Sequence, residues 1–123
     1  MNNTEIGQAL QEAIGAHGVW KMRLRRAVES RSSEVPVETA RRDDCCALGK
    51  LLYERLPAPL RNDPHYGTIR DLHRQFHAAA ADALGFALDG KAAEANAVID
   101  GRFASASTSL GSAVTGWRRN LGH

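Results

Sequence analysis

Apolar residues recur along the chain at alternating spacings of three and four, the period of a helix with one buried face. Leu10, Ile14, His17, Lys21, Leu24 and Val28 form one such stripe and predict a first helix over about Thr4–Ser30. Thr4 is its expected cap, with Glu5 and Gln8 near the first turn. Gly15 and Gly18 flank His17, and glycine costs about 1 kcal/mol in a helix interior, so a close approach is expected there. The polar segment Arg31–Glu38 reads as a loop. Leu48, Leu52 and Leu56 mark a second helix over about Thr39–Leu56, ended by the three prolines of Pro57–Pro64. A third helix, Tyr66–Leu88, turns Ile69, Leu72, Phe76, Ala80, Ala83 and Ala87 inward. His73 and His77 lie at the edge of that face, and Asp89-Gly90 stops the helix with a left-handed cap. A fourth helix, Lys91–Asn120, carries a stripe of mostly small residues: Ala92, Ile99, Phe103, Ala106, Leu110, Ala113 and Trp117. Short loops between long amphipathic helices predict an all-α, antiparallel four-helix bundle, and bundles of this kind hold metals in their cores.

Composition narrows this picture. A length of 123 residues is one domain, expected to span 1–123, and is enough to bury roughly two-thirds of the unfolded surface. Charged residues at 24% and hydrophobic residues at 43% argue against disorder. No apolar run approaches the ~18–20 residues of a membrane span, and no charged-then-apolar leader opens the chain, so no membrane partner is expected. The net charge of +2 is too small to imply nucleic acid. Arg23, Arg25 and Arg26, and Arg41 with Arg42, read as solvated faces. The two cysteines are adjacent, Cys45-Cys46, where bridging is strained, which points to a reducing, cytoplasmic compartment.

Five histidines beside two cysteines are the unusual balance. His73 and His77, four residues apart, lie on one face of a helix within reach of one metal. No glutamate follows His73, so this is not the helical metalloprotease motif. His17 interrupts an apolar stripe on the first helix. With a cysteine from the second helix, the three histidines would make a closed His3Cys set. A thiolate among imidazoles favours zinc over magnesium or calcium, and copper or nickel would bind such a set in vitro. Periodicity puts Cys45 nearer the centre of the leucine stripe and Cys46 toward Gly49 and Tyr53, and it leaves the choice between them open. His65 reads as an exposed loop residue and His123 as terminal, both without a role. Trp20 and Trp117 read as anchors of a core or a dimer interface.

Three segments resemble one family. AHGVWKMRL (Ala16–Leu24), DDCCALGKLLYERL (Asp43–Leu56) and LHRQFHAAA (Leu72–Ala80) are similar, in order, to the motifs of the chemoreceptor zinc-binding (CZB) domain, and the likeness extends over nearly the whole chain. The resemblance implies that His17, Cys46, His73 and His77 ligate zinc, which decides between the cysteines in favour of Cys46. Leu51 stands where the family often has tryptophan, and Cys45 is an additional thiol. The resemblance also implies a homodimer that senses zinc, or hypochlorous acid through the zinc-bound cysteine. Such domains are usually attached to chemoreceptor signalling helices or diguanylate cyclases. This chain has no room for either and is expected to be a free-standing member or an excised module.

A closed zinc site offers no open position for a bound water, and no other nucleophile–base pair stands out, so no enzyme is expected. The main alternative is a structural or zinc-buffering helical protein with no signalling output. A di-iron carrier or metalloenzyme is disfavoured, since no Glu-x-x-His pair occurs.

Overall fold

The computed structural model describes residues 1–123. The chain is all-helical, with no strand. No helix is long and apolar enough to cross a membrane.

Helix α1 spans Asn3–His17. Its cap is Asn2 rather than Thr4. The Asn2 side chain accepts from the Glu5 amide (2.8 Å) while Glu5 reaches back to the Asn2 amide (3.0 Å), satisfying two free N–H groups at once. The stretch expected as one helix breaks at Gly18-Val19 and resumes as α2, Trp20–Ser30. A Cβ on Gly15 would meet nothing, and one on Gly18 only the Gly15 carbonyl, so these glycines mark a turn and not a close approach. After the break Trp20 takes the inward position and Lys21 is exposed.

The expected second helix is the largest departure. It divides into α3 (Val37–Arg41), a non-helical crossing at Arg42–Cys46, α4 (Ala47–Lys50) and a π-helical turn at Leu51–Arg55. Aspartates favour side-chain hydrogen bonds over a helical ladder. Here Asp44 binds Arg42 through both carboxylate oxygens (3.0 and 3.1 Å), and Asp43 accepts from Tyr53 Oη (2.6 Å). After the short helix α5 (Ala58–Arg61), Asp63 caps α6, Pro64–Leu88, by accepting from the His65 amide (2.8 Å). Gly90 ends α6 in the left-handed region, φ 76°, as expected. The last stretch is α7 (Ala92–Val98), a π turn at Ile99–Phe103 and α8 (Ala104–Asn120). Backbone angles stay helical through both junctions, so this is one rod with a local widening. The π turn brings both Val98 and Ile99 inward and shifts the phase, so Val114 is buried where the stripe pointed to Ala113.

Helix α6 is the centre of the fold and packs against α2, α3, α7 and α8. Its alanines explain how one helix takes so many neighbours. Ala79, Ala80, Ala81, Ala83 and Ala87 are all buried, and small side chains let other helices approach on several sides. Helix α1 packs on α8 and α4, which brings the end of α1 to the start of α4 beside α6.

Candidate metal centre

Three backbone contexts deliver four side chains to one point. His17 is the last residue of α1, Cys46 is the N-cap of α4, and His73 and His77 sit one turn apart on α6. The three histidines are the chain's only buried polar or charged side chains, and Cys46 is half-buried. The Nε2 atoms lie 3.0 Å (His73–His77), 3.2 Å (His17–His73) and 3.4 Å (His17–His77) apart. Cys46 Sγ is 3.2 Å from His73 Nε2 and 3.5 Å from both His17 and His77.

These contacts cannot all be hydrogen bonds. His17 Nδ1 donates to the Ala13 carbonyl (3.1 Å) and His77 Nδ1 to the Ala40 carbonyl (2.9 Å). Each ring therefore carries its proton at Nδ1 and turns an Nε2 lone pair toward the cluster. His73 Nδ1 is buried without a partner, and its ring is held edge-on against His17 and His77, with centroids 5.0 and 4.6 Å away. At most His73 and the thiol each bring one proton to six short contacts. Extra protons are disfavoured. Burial, with His77 adding to it, pushes His17 down to about 4. Burial and the two neighbouring rings push His73 down to about 3, and burial lowers His77. Burial also raises the Cys46 thiol. Three imidazoles that reject extra protons, beside a buried thiol that keeps its own, are matched by a cation that would displace the thiol proton and engage all four.

The size of the cluster fits a small tetrahedral ion. Bonds of about 2.0–2.1 Å to nitrogen and about 2.3 Å to sulfur set tetrahedral edges of about 3.3 Å between nitrogens and about 3.5 Å between nitrogen and sulfur. The observed edges of 3.0–3.4 Å and 3.2–3.5 Å lie close to these. A sequence model of the chemoreceptor zinc-binding domain matches residues 17–84, over half of the chain. The chain belongs to the chemoreceptor zinc-binding domain family. The matched span of this CZB domain runs from His17 past His77, and it is narrower than the near-full-length likeness read from the motifs. No curated protein and no solved structure matches the chain. CZB domains bind zinc, and the His17, Cys46, His73 and His77 cluster is suited to a metal ion.

Several residues that hold the CZB cluster were not legible as functional. The Ala13 and Ala40 carbonyls orient two rings, yet a backbone acceptor leaves no mark in a sequence. Phe76 packs edge-on against His17 (centroids 4.9 Å apart) and His77 (5.4 Å), and Trp20 lies edge-on to His77 (6.4 Å), giving the rings an apolar wall. Gly49 permits the crossing segment to pass over α4. A Cβ there would stand 2.0 Å from the Asp43 carbonyl oxygen, which no side chain can tolerate. The Gly in the Cys-x-Leu-Gly-Lys run was the available signal. Tyr53 pins the same segment through Asp43, and desolvation together with that carboxylate pushes its phenol up to about 12.

The remaining candidates stay outside the cluster. Cys45, which periodicity put nearer the centre of the leucine stripe, is exposed, because Arg42–Cys46 is not helical and the phase of that stripe does not carry back through it. His65 is not an exposed loop residue. It is half-buried in the first turn of α6, with Nδ1 2.7 Å from Asp63 Oδ1 and its ring stacked on Trp117. His123 Nε2 reaches the Asn3 carbonyl (3.3 Å) at the surface.

Proposed function

We propose that this CZB domain is a regulatory module in which His17, Cys46, His73 and His77 hold one zinc ion and Cys46 is the responsive element. The observation that carries the reading is ring orientation: two Nδ1 atoms committed to main-chain carbonyls aim their Nε2 lone pairs at a point beside a thiol. When bound, zinc supplies a divalent charge that offsets the thiolate and makes one junction of α1, α4 and α6.

The chain's own residues supply the response. Cys46 as thiolate is a nucleophile toward oxidants such as hypochlorous acid, giving a sulfenic acid and chloride. The oxidised sulfur is a poorer donor, so the crossing segment loses its tie to the histidines. That segment is held by side chains such as Tyr53 on Asp43 and not by a main-chain ladder, because no amide from Asp43 to Cys46 donates to a main-chain carbonyl. Its displacement has a route outward. Ala40 accepts from His77, while the next residue, Arg41, pairs with Asp82 (3.0 Å), which also pairs with Arg102 on the last rod (3.0 Å).

We further infer that residues 1–123 act as one antiparallel four-helix bundle domain. It works as a cytoplasmic homodimer with a chemoreceptor or diguanylate cyclase as its output partner. The four amphipathic stretches, the reduced adjacent cysteines and the family's usual context support this reading.

Zinc content measured by mass spectrometry in the wild type, Cys46→Ala and Cys45→Ala tests the ligand set. The expected result is zinc lost only in Cys46→Ala. Loss in Cys45→Ala with retention in Cys46→Ala would overturn it. Zinc held unchanged through oxidant treatment would favour a structural or buffering site.

A further inference from the structure

Cys45 takes no part in the four-residue cluster. It is exposed, precedes Cys46 directly, and its Sγ makes only a long contact to Asp44 Oδ1 (3.5 Å). We propose that Cys45 is the resolving thiol for Cys46: after oxidation the two close a vicinal disulfide that withdraws the Cys46 sulfur from the histidines. This rests on the oxidant-responsive role proposed for Cys46.

The chemistry balances in two steps. The Cys46 thiolate attacks hypochlorous acid, giving Cys46 sulfenic acid and chloride, so sulfur is oxidised and chlorine reduced. The Cys45 sulfur then attacks the sulfenic sulfur. The S–S bond forms, the S–O bond breaks, and the oxygen leaves as water with the Cys45 thiol proton and the sulfenic proton. The chain contains no other thiol.

Adjacent Cα atoms lie about 3.8 Å apart, below the ~4.4–6.8 Å usual for a disulfide, so closure requires the backbone to rotate. Inside a helix that rotation would break the main-chain ladder. Here Asp43–Cys46 is a run of bends whose amides donate no main-chain hydrogen bond. The direction of movement is also set. The inner side is filled by three imidazoles and the Phe76 ring, while Cys45 faces solvent, so Cys46 swings outward to meet it. That movement takes Sγ away from the three Nε2 atoms and from the Gly49 amide, which it caps at 3.4 Å. Strain makes such a bond easily reduced, which suits a reversible switch and not a structural staple.

The test uses the full zinc-loaded chain and Cys45→Ser, each treated with two equivalents of hypochlorous acid, one for each oxygen of a sulfinic acid, and then with dithiothreitol. Zinc release is followed with a chromogenic chelator and the product by intact mass. Wild type is expected to release zinc and become about 2 Da lighter, then to recover both mass and zinc on reduction. Cys45→Ser is expected to release zinc, gain about 32 Da as sulfinic acid, and fail to recover. Wild type gaining oxygen as Cys45→Ser does, or forming a covalent dimer, would overturn the resolving role while leaving the responsive role of Cys46 intact. Zinc retained and Cys46 unmodified in both proteins would overturn the responsive role and this inference with it.

Discussion

His77 and Cys46 reach the same point from opposite kinds of backbone. His77 stands mid-way along α6, among residues whose amides are tied into a helical ladder and whose side chains are buried on several sides. Cys46 ends a crossing segment whose amides make no such bonds, and it is held by side chains instead: Tyr53 on Asp43, Arg42 on Asp44, and the absent Cβ of Gly49. The cluster is thus half rigid and half tethered. A change in α6 should therefore be felt in the stability of the whole domain. A change in the tethers should be felt in metal affinity first.

The largest expected effect is on the rigid half. Phe76→Ala empties space beside two of the rings and against Phe103, and should cost about 3–5 kcal/mol of stability in the zinc-free protein, read from denaturant midpoints. A cost below about 1 kcal/mol would mean that α6 is not the structural centre. On the tethered half, Gly49→Ala forces Asp43 and its segment away from α4 and should cost about 1–3 kcal/mol, seen as zinc affinity lowered by roughly 5- to 150-fold in a competition titration. Its zinc-free stability should change much less than that of Phe76→Ala. Equal losses in both measurements would erase the contrast between the two halves. Tyr53→Phe removes one hydrogen bond to Asp43 and nothing from the core, so about 1 kcal/mol, near fivefold in zinc affinity, is expected. An ultraviolet titration of the wild type is expected to show a tyrosine ionising well above the ordinary range, and Tyr53→Phe to lack it.

The same division explains what could be read without the structure. Residues on unbroken helices were legible. The spacing of His73 and His77 placed both rings on one face, and α6 runs nearly where its pattern put it because Asp63, Pro64 and Gly90 are unambiguous end signals. Helical phase failed wherever the ladder is interrupted. Lys21 was assigned inward across the Gly18-Val19 turn, and Ala113 across the π turn at Ile99–Phe103. Cys45 was placed nearer the centre of the leucine stripe across a segment in which two aspartates outcompete the helix for hydrogen bonds. Resemblance to the CZB motifs pointed to Cys46 where periodicity could not. Motifs record which residues recur together and do not depend on an unbroken phase. The carbonyls of Ala13 and Ala40 were beyond both kinds of signal, since any residue type supplies a carbonyl.

The most direct test of the proposed centre is X-ray absorption at the zinc edge on the purified, zinc-loaded domain. The expected spectrum has three nitrogen scatterers at about 2.0–2.1 Å and one sulfur at about 2.3 Å, with the sulfur shell lost in Cys46→Ala and kept in Cys45→Ala. Two sulfur scatterers, or a shell of nitrogen and oxygen alone in the wild type, would contradict it.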